Sequence, residues 1–334
     1  MLIAAGWRVW AAPTDVCVID DPRARELSGL ATVANGYVTV TDSNPDAAQI
    51  RIVNLDSACR VTGTVRFPTA PRDPEDVAVA PDGTVWIADI GDNATGETRR
   101  PTIALWHLPR TGGPVIHRLA YPDGPHDAEA LLFGDDGVPV VVTKESNGKA
   151  RLYRPAGPLQ PRAATGVAMV HVGEFTPHAT GENNFLGALG EVLVTGAAVS
   201  PDRRRVALRT YTAAYEWDVP DGDVVKAITA GVPRVTALPD EPQGEAIAYT
   251  ADGAAFLTVS DQPGATTLRL HMPSTTTLVT APPTVSAPPV AREPSGLDAI
   301  PLWVTLAAGT AGLILAAAGY YGLRQGRRRP AASP

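Results

Sequence analysis

Short apolar runs rich in Val, Ile, Ala and Thr recur along the chain as far as His271, each broken by a polar turn. Four passages share a frame: "EDVAVAPDGTVWIAD" from Glu75, "EALLFGDDGVPVVVT" from Glu129, "TGAAVSPDRRRVALR" from Thr195 and "EAIAYTADGAAFLTV" from Glu245. In each an apolar or aromatic residue falls four places on (Val79, Phe133, Val199, Tyr249). An Asp falls seven places on (Asp82, Asp136, Asp202, Asp252), followed by Gly in three copies and by Arg203 in the other. "ELSGLATVANGYVTVTD" from Glu26 makes a fifth copy, with Leu30 at the fourth place and its Asn35-Gly36 turn arriving late. The copies start 49, 54, 66 and 50 residues apart. Each predicts a β-hairpin, because Pro-Asp-Gly suits a type I turn with Gly in the left-handed position after it.

Further strand-like pieces follow each hairpin, such as "QIRIVNL" and "VTGTVRF" after the first. Four strands per repeat of this length is the pattern of a β-propeller blade, and no helical periodicity interrupts it. The predicted fold class is all-β: a β-propeller of five four-stranded blades, with six as the alternative. In the five-blade reading the early strand "DVCVID" (15–20) completes the last blade and seals the ring. The interval 173–194 is then a long loop; in the six-blade reading it belongs to a degenerate blade.

The repeats, "PDGTVWIAD" above all, resemble the exported propellers of the NHL, SMP-30/gluconolactonase and esterase-like phytase group over roughly 26–271. The resemblance is one of fold. It implies either a binding module or a metal-dependent hydrolase, because one fold hosts both.

The termini change the picture. From Ala299 to Leu323 there is no charge for 25 residues, which at about 1.5 Å per residue spans the roughly 30 Å of a bilayer core. Trp303, Tyr320 and Tyr321 suit interfacial anchors, and the basic 324–334 that follows suits a cytoplasmic stop. Residues 273–298 are rich in Pro, Thr and Ser and read as a stalk. Residues 1–13 are apolar and read as a possible remnant of an export signal that lacks its basic region. The predicted organisation is a propeller ectodomain over 14–272, a stalk, a single span over 299–323 and a cytoplasmic tail. The expected location is the cell membrane, with the ectodomain extracytoplasmic. Outside the cytoplasm a lone pair of cysteines, Cys17 and Cys59, is expected to form a disulfide.

Charge excludes one class of partner. The chain carries 28 basic and 35 acidic residues for a formal net charge of −7. Removing Arg324, Arg327, Arg328 and Arg329 of the tail takes this to −11. Nucleic-acid binding needs a basic footprint, which the body lacks.

Motifs for nucleophile-led chemistry are missing: there is no G-x-S-x-G, P-loop, G-x-G-x-x-G or H-E-x-x-H. The six histidines show no zinc spacing. The recurring acids are more informative. Glu26, Glu75, Glu129 and Glu245 open the innermost strand of their repeats, with Thr195 as the fifth member, and are expected to ring one channel mouth. Converging carboxylates need a cation, protons or outward-turned side chains. An oxygen-only ring suits Ca²⁺ or Mg²⁺. The structural alternative is that each Glu bonds backbone amides and pins neighbouring blades.

The returning strands bring Asp42, Asp89, Lys144, Arg209 and Asp261 towards the same end, acids on one side and bases on the other. Such a face suits a small anionic ligand held by metal and bases together. Lesser candidates are Asp89, Asp92 and Asn93 in "DIGDN", and His126 with Asp127 in "PHDAE". Tyr211, Tyr215 and Trp217 in "RTYTAAYEW" read chiefly as blade core. The leading expectation is a membrane-anchored propeller that binds a ligand or partner at its channel mouth without catalysis. The alternative is a metal-dependent phosphoester or ester hydrolase, and a third reading is a scaffold that meets another envelope protein.

Overall fold

A computed structural model describes residues 12–92, 99–182 and 184–275. Blade 5 takes strands from both ends of the described residues, since its outer strand is β1 (Thr14–Ile19). Blade 1 is β2 (Leu27–Val33), β3 (Gly36–Thr41), β4 (Ile52–Leu55) and β5 (Val61–Val65). Blade 2 is β6 (Pro74–Val79), β7 (Val85–Asp89), β8 (Ile103–Leu108) and β9 (Val115–Ala120). Blade 3 is β10 (Ala128–Phe133), β11 (Pro139–Thr143), β12 (Ala150–Pro155) and β13 (Val167–Phe175). Blade 4 is β14 (Val194–Val199), β15 (Arg205–Thr210), β16 (Ala213–Asp218) and β17 (Arg234–Ala237). Blade 5 is β18 (Gly244–Tyr249), β19 (Phe256–Ser260) and β20 (Thr266–His271), completed by β1. Each blade is an antiparallel meander. A short parallel pairing of Val167 and Ala168 with Leu119 and Ala120 joins the rims of blades 2 and 3 into one sheet.

Among the described residues there are thus five blades, and the ring closes through β1 on β20, from Thr14 opposite Leu270 to Ile19 opposite Thr266. The interval 173–194 holds the end of β13, a loop and a short 3-10 turn over Gly187–Leu189; it is no sixth blade. One element escapes the periodicity argument, a helix α1 (Val224–Ala230) between β16 and β17. Asp223 caps it by accepting from the Lys226 amide at 3.0 Å. Cys17 of β1 is bonded to Cys59 of the β4–β5 connection, so the closing strand is tied to blade 1. Closing that loop stabilises by about 4 kcal/mol in chain-entropy terms.

The hairpin turns follow their chemistry. Gly83, Gly137 and Gly253 take φ of 80°, 69° and 70°, and Arg203 takes the same left-handed place at 60°. The preceding aspartates fasten each turn, Asp82 accepting from the Thr84 amide at 2.9 Å and Asp252 from the Ala254 amide at 3.0 Å. Arg203, which has a Cβ to accommodate, is held by Asp135 at 2.6 Å and by the Phe133 carbonyl at 2.7 Å.

Apolar side chains fill the gaps between blades. Trp106 and Ile87 pack with Val40 between blades 1 and 2, Tyr153 and Met169 help fill the gap between blades 2 and 3, and Tyr215 and Trp217 lie with Leu132 between blades 3 and 4. Tyr215 and Trp217 are therefore core. The five inner strands β2, β6, β10, β14 and β18 contact one another in a closed ring, which brings their first residues together at one mouth and their last at the other.

Among the described residues no helix is long and apolar enough to cross a membrane. The N-terminal segment 1–11, Asn93, the stalk beyond residue 275, the span 299–323 and the tail 324–334 lie outside the described residues.

Candidate metal and ligand site

Every inner strand begins with a bulge, and the bulge sets the site. In blade 2 Pro74 faces Asp89 and Asp76 faces Ala88, leaving Glu75 unopposed; Glu129 and Glu245 are left in the same way in blades 3 and 5, and Thr195 in blade 4. A bulge re-aims a side chain that would otherwise alternate with its neighbours. In blade 1 the irregularity lies between Leu27 and Leu30, so Ser28 takes the ring position and Glu26 does not. Glu26 sits two residues earlier, half-buried, at φ 49°. The ring is Ser28, Glu75, Glu129, Thr195 and Glu245.

Oxygens of Glu75, Glu129 and Glu245 lie within 4.8 Å of one another, and all three residues are buried. Their partners are too few. Ser28 Oγ stands 3.0 Å from Glu75 Oε2 and 3.4 Å from Glu245 Oε2, but has a single hydrogen to give. Lys144 Nζ donates to Glu129 Oε1 at 2.8 Å, while Glu129 Oε2 is buried with no hydrogen-bond partner. Glu245 Oε1 accepts from Gln243 Nε2 at 2.9 Å and from the Tyr211 hydroxyl at 3.4 Å. Burial, then repulsion from neighbouring carboxylates, raises Glu75 well above the usual range. Burial raises Glu129 as well, against the pull of Lys144. Burial alone would lower Lys144, but Glu129, Tyr211 and Glu245 hold it well above the ordinary value.

A second tier lies above the ring. The residues two before it are Glu26, Asp73, Asp127, Leu193 and Gln243. The carbonyls of Glu26, Asp73, Asp127 and Gln243 accept from the amides of Asp42, Ile90, Lys144 and Asp261. Asp42, Lys144 and Asp261 therefore share one register, and Tyr211 holds the matching place in blade 4. Asp42 joins Asp73 and Glu75 in one close group, and Glu245 and Asp261 in another. Asp261 accepts from Gln243 through Oδ2 at 2.6 Å while its Oδ1 is buried without a partner. Burial, with the neighbouring Glu245 carboxylate, pushes Asp42 up to about 8 and Asp261 up to about 7.

Two expected mouth residues are placed elsewhere. Asp89 is one residue short of that register, so its side chain turns away from the mouth. It meets Arg100 Nη1 at 2.9 Å and accepts from the Asp73 amide at 3.1 Å and Trp106 Nε1 at 3.3 Å. Arg209 is two residues short and fully buried, on Glu241 at 2.7 Å and the Ala246 carbonyl at 2.8 Å. Asp92 is likewise held by Arg72 and Arg99. His126 lies between Glu145 at 2.8 Å and Asp123 at 3.0 Å, and Asp127 accepts the Asp92 amide at 2.8 Å. Of the two bases expected at the mouth, only Lys144 remains there.

Missed from the sequence were Ser28, Asp73, Asp127 and the mouth role of Tyr211, whose ring lies 5.2 Å from Lys144 Nζ and from Phe185. The signal for Ser28 was available: counting seven back from Asn35, which stands where the other turns have Asp, lands on it.

Below the ring Asp76 closes the axis. It is fully buried, and its carboxylate accepts from the amides of Val77 and Leu131, both at 2.8 Å, and of Ala197. Beyond it the far ends of the inner strands line a partly open, chiefly apolar pocket of about 290 Å³, with Leu30, Val79, Leu131, Phe133 and Tyr249 beside Ser200 and Arg203.

Gly91 is required where the chain passes the carboxylates. A Cβ there would collide with Glu75 Oε1 and stand 2.5 Å from Asp73 Oδ2. Gly91→Ala is expected to swing both carboxylates aside while leaving the fold intact, and to weaken by at least about tenfold, or ~1.4 kcal/mol, the hold of the ring on any divalent cation offered to it, Ca²⁺ being the probe. Calorimetric titration of the variant checks this.

No protein-family model matches the chain, and no curated protein does. Solved structures similar to it are β-propeller proteins of mixed activity. Glutaminyl cyclase of Myxococcus xanthus is 11% identical, with 78% of this chain and 97% of that chain covered and a TM-score of 0.44. The β-propeller domain of Cps50 (Swd1) from Myceliophteria thermophila is 11% identical, covering 77% and 99%, with a TM-score of 0.40. A streptogramin B lyase is 11% identical at a TM-score of 0.35 over 73% of this chain; the chain spans only 65% of that enzyme's length. Similarity at this level concerns the fold and does not single out the NHL, SMP-30/gluconolactonase or esterase-like phytase group.

Proposed function

We propose that this chain is a membrane-anchored, extracytoplasmic propeller that binds a ligand or partner at its acidic mouth through a bound divalent cation, Ca²⁺ in preference to Mg²⁺. The observation that carries this is the meeting of Glu75, Glu129 and Glu245, from three blades, with oxygens within 4.8 Å. That is no wider than the gap between two oxygens on opposite sides of a Ca²⁺ ion at about 2.4 Å each. Mg²⁺ sits closer to its ligands and demands a more regular octahedron. The unpartnered Glu129 Oε2 supports a cation too, since a buried carboxylate oxygen with no donor costs about 1–3 kcal/mol or more. The reading that these glutamates pin blades together by bonding amides is less well supported, because their partners are Ser28, Lys144, Gln243 and Tyr211 side chains.

Display at the membrane rests on the uncharged 299–323 and its basic sequel, and export agrees with the Cys17–Cys59 bond. The hydrolase reading keeps Lys144 as a clamp beside the cation but loses Arg209, whose guanidinium is committed to Glu241. Binding without turnover is the reading we adopt.

The test is a melting series on the full chain in mild detergent. Ca²⁺ is expected to raise the melting temperature over EDTA, and Glu75→Gln with Glu129→Gln to abolish the rise. No shift with Ca²⁺ or Mg²⁺ overturns the reading; turnover of a generic phosphoester that disappears in the same variant moves it to the hydrolase.

A further inference from the structure

We infer that blade 1 carries a separate small pocket beside the mouth that holds the zwitterionic head of an α-amino acid, its carboxylate on Arg25 and Arg51 and its ammonium on Glu26. The pocket measures about 120 Å³ and lies where the lead-in to β2, the end of β3 and the start of β4 meet. Ordinary small-molecule pockets run to roughly 300–1,000 Å³. This one takes a headgroup and leaves the rest of a larger ligand outside.

Both signs of charge line it, and both have bonding capacity left over. Arg51 gives Nε to the Gln49 carbonyl at 2.9 Å and Nη2 to Gln49 Oε1 at 2.6 Å, but among the described residues it forms no ion pair. Arg25 uses Nη2 on Asp20 at 2.7 Å, while its Nη1 is buried without a hydrogen-bond partner. Arg23 is already engaged by Asp21 through two nitrogens. On the acidic side, the half-buried carboxylate of Glu26 has no hydrogen bond or ion pair among the described residues. Arg51 and Glu26 thus line one pocket without pairing with each other, which leaves room for a molecule that carries the complementary pair.

The backbone fixes Glu26 in place. It stands at φ 49°, a left-handed position that a residue with a Cβ adopts only at a cost. Its amide donates to the Gln262 carbonyl at 3.0 Å, and its carbonyl accepts from the Asp42 amide at 2.7 Å.

The two signs are also sorted in space. Asp42, which accepts from the Ser43 amide, closes on Glu245 and Asp261 and so marks the axis side of the pocket. Arg51 leads into β4, two strands outward from β2, and marks the rim. A bare anion meets Glu26 and Asp42 there, and a bare cation meets the guanidinium groups. An α-amino acid carries both charges on one carbon, and the planar fork of Arg suits its carboxylate. The pocket is independent of the cation ring, to which neither Glu26 nor Arg51 belongs.

The experiment is a calorimetric titration of the full chain, in mild detergent and EDTA, with glycine, acetate and methylamine in turn. Glycine is expected to give a saturable isotherm, and acetate and methylamine each to bind at least about tenfold more weakly. That comparison needs no variant. Glu26→Gln and Arg51→Gln are each expected to weaken glycine at least about tenfold, with circular dichroism showing both variants folded. No saturable uptake of glycine overturns the site. Acetate or methylamine bound as tightly as glycine overturns the zwitterion. Glycine binding unchanged in both folded variants overturns the assignment to this pocket. With divalent ions chelated throughout, failure of this pocket and failure of the cation ring are read separately.

Discussion

Stripped of divalent cations, the protein is expected to become less stable as the pH rises from about 5 to 8.5, and saturating Ca²⁺ to abolish that loss. The sign follows from the direction of the shifts. Asp42 is pushed up to about 8 and Asp261 to about 7, and burial raises Glu75, Glu129, Asp73 and Asp127 as well. In the unfolded chain these groups titrate near 4. Between those limits the native state holds more protons than the unfolded one, so unfolding free energy falls with rising pH. At about 1.4 kcal/mol per pKa unit, Asp42 alone contributes a loss on the order of a few kcal/mol by the time the pH reaches its folded value. A bound ion replaces the protons, and its own affinity rises with pH because binding releases them. Glu241 acts in the opposite direction at the acid end. Burial would raise it, but Arg209 and His271 hold it down at about 2; its contribution is present above the unfolded value and disappears as the pH falls through about 2. Melting curves in EDTA should therefore peak near pH 5, and curves in Ca²⁺ should stay level above it. A flat or rising EDTA curve between pH 5 and 8.5 would contradict the crowding of carboxylates on which the site depends.

The blades were legible in the sequence because a hairpin turn is a local event. Asp82, Asp136, Asp202 and Asp252 each lie seven places after Glu75, Glu129, Thr195 and Glu245, and the left-handed residue after each is Gly or, once, Arg203. Ring closure by the strand at 14–19 and the Cys17–Cys59 bond were readable for the same reason: each needs only a strand and a partner of the right kind. What lies at the mouth was legible only in part. Glu75, Glu129 and Glu245 repeat, so they align. Ser28 escapes a pattern built on residue type, because the bulge holds a position whatever occupies it. Asp89 fell to strand alternation, in which a slip of one residue turns a side chain to the opposite face; Arg209 stands two residues short of the mouth, deeper along its strand, where Glu241 takes it up. Asp73 and Asp127 have no periodic partner in blades 4 and 5, where Leu193 and Gln243 stand, so nothing in the pattern marked them.

Asp76 is expected to be the single most costly position to truncate on the axis. Its carboxylate takes the amides of Val77, Leu131 and Ala197, which belong to the inner strands of three blades. These strands are the innermost of their blades, so the edge that faces the axis has no neighbouring strand to take its amides. In Asp76→Ala they are left buried without an acceptor, at about 1–3 kcal/mol each, and the cavity left behind opens towards the apolar chamber below. The loss should total about 3–5 kcal/mol, read as a lower denaturation midpoint at unchanged slope. Asp76→Asn should fall between Asp and Ala. Burial raises Asp76 well above the usual carboxylate range, but its two oxygens accept separately, Oδ1 from the Val77 amide and Oδ2 from the Leu131 amide. An amide side chain offers one acceptor oxygen and turns an NH2 towards the other donor. The Asn variant is therefore expected to lose about 1–3 kcal/mol, less than the Ala variant. An Asn variant as stable as the unsubstituted protein would contradict the separate use of the two oxygens.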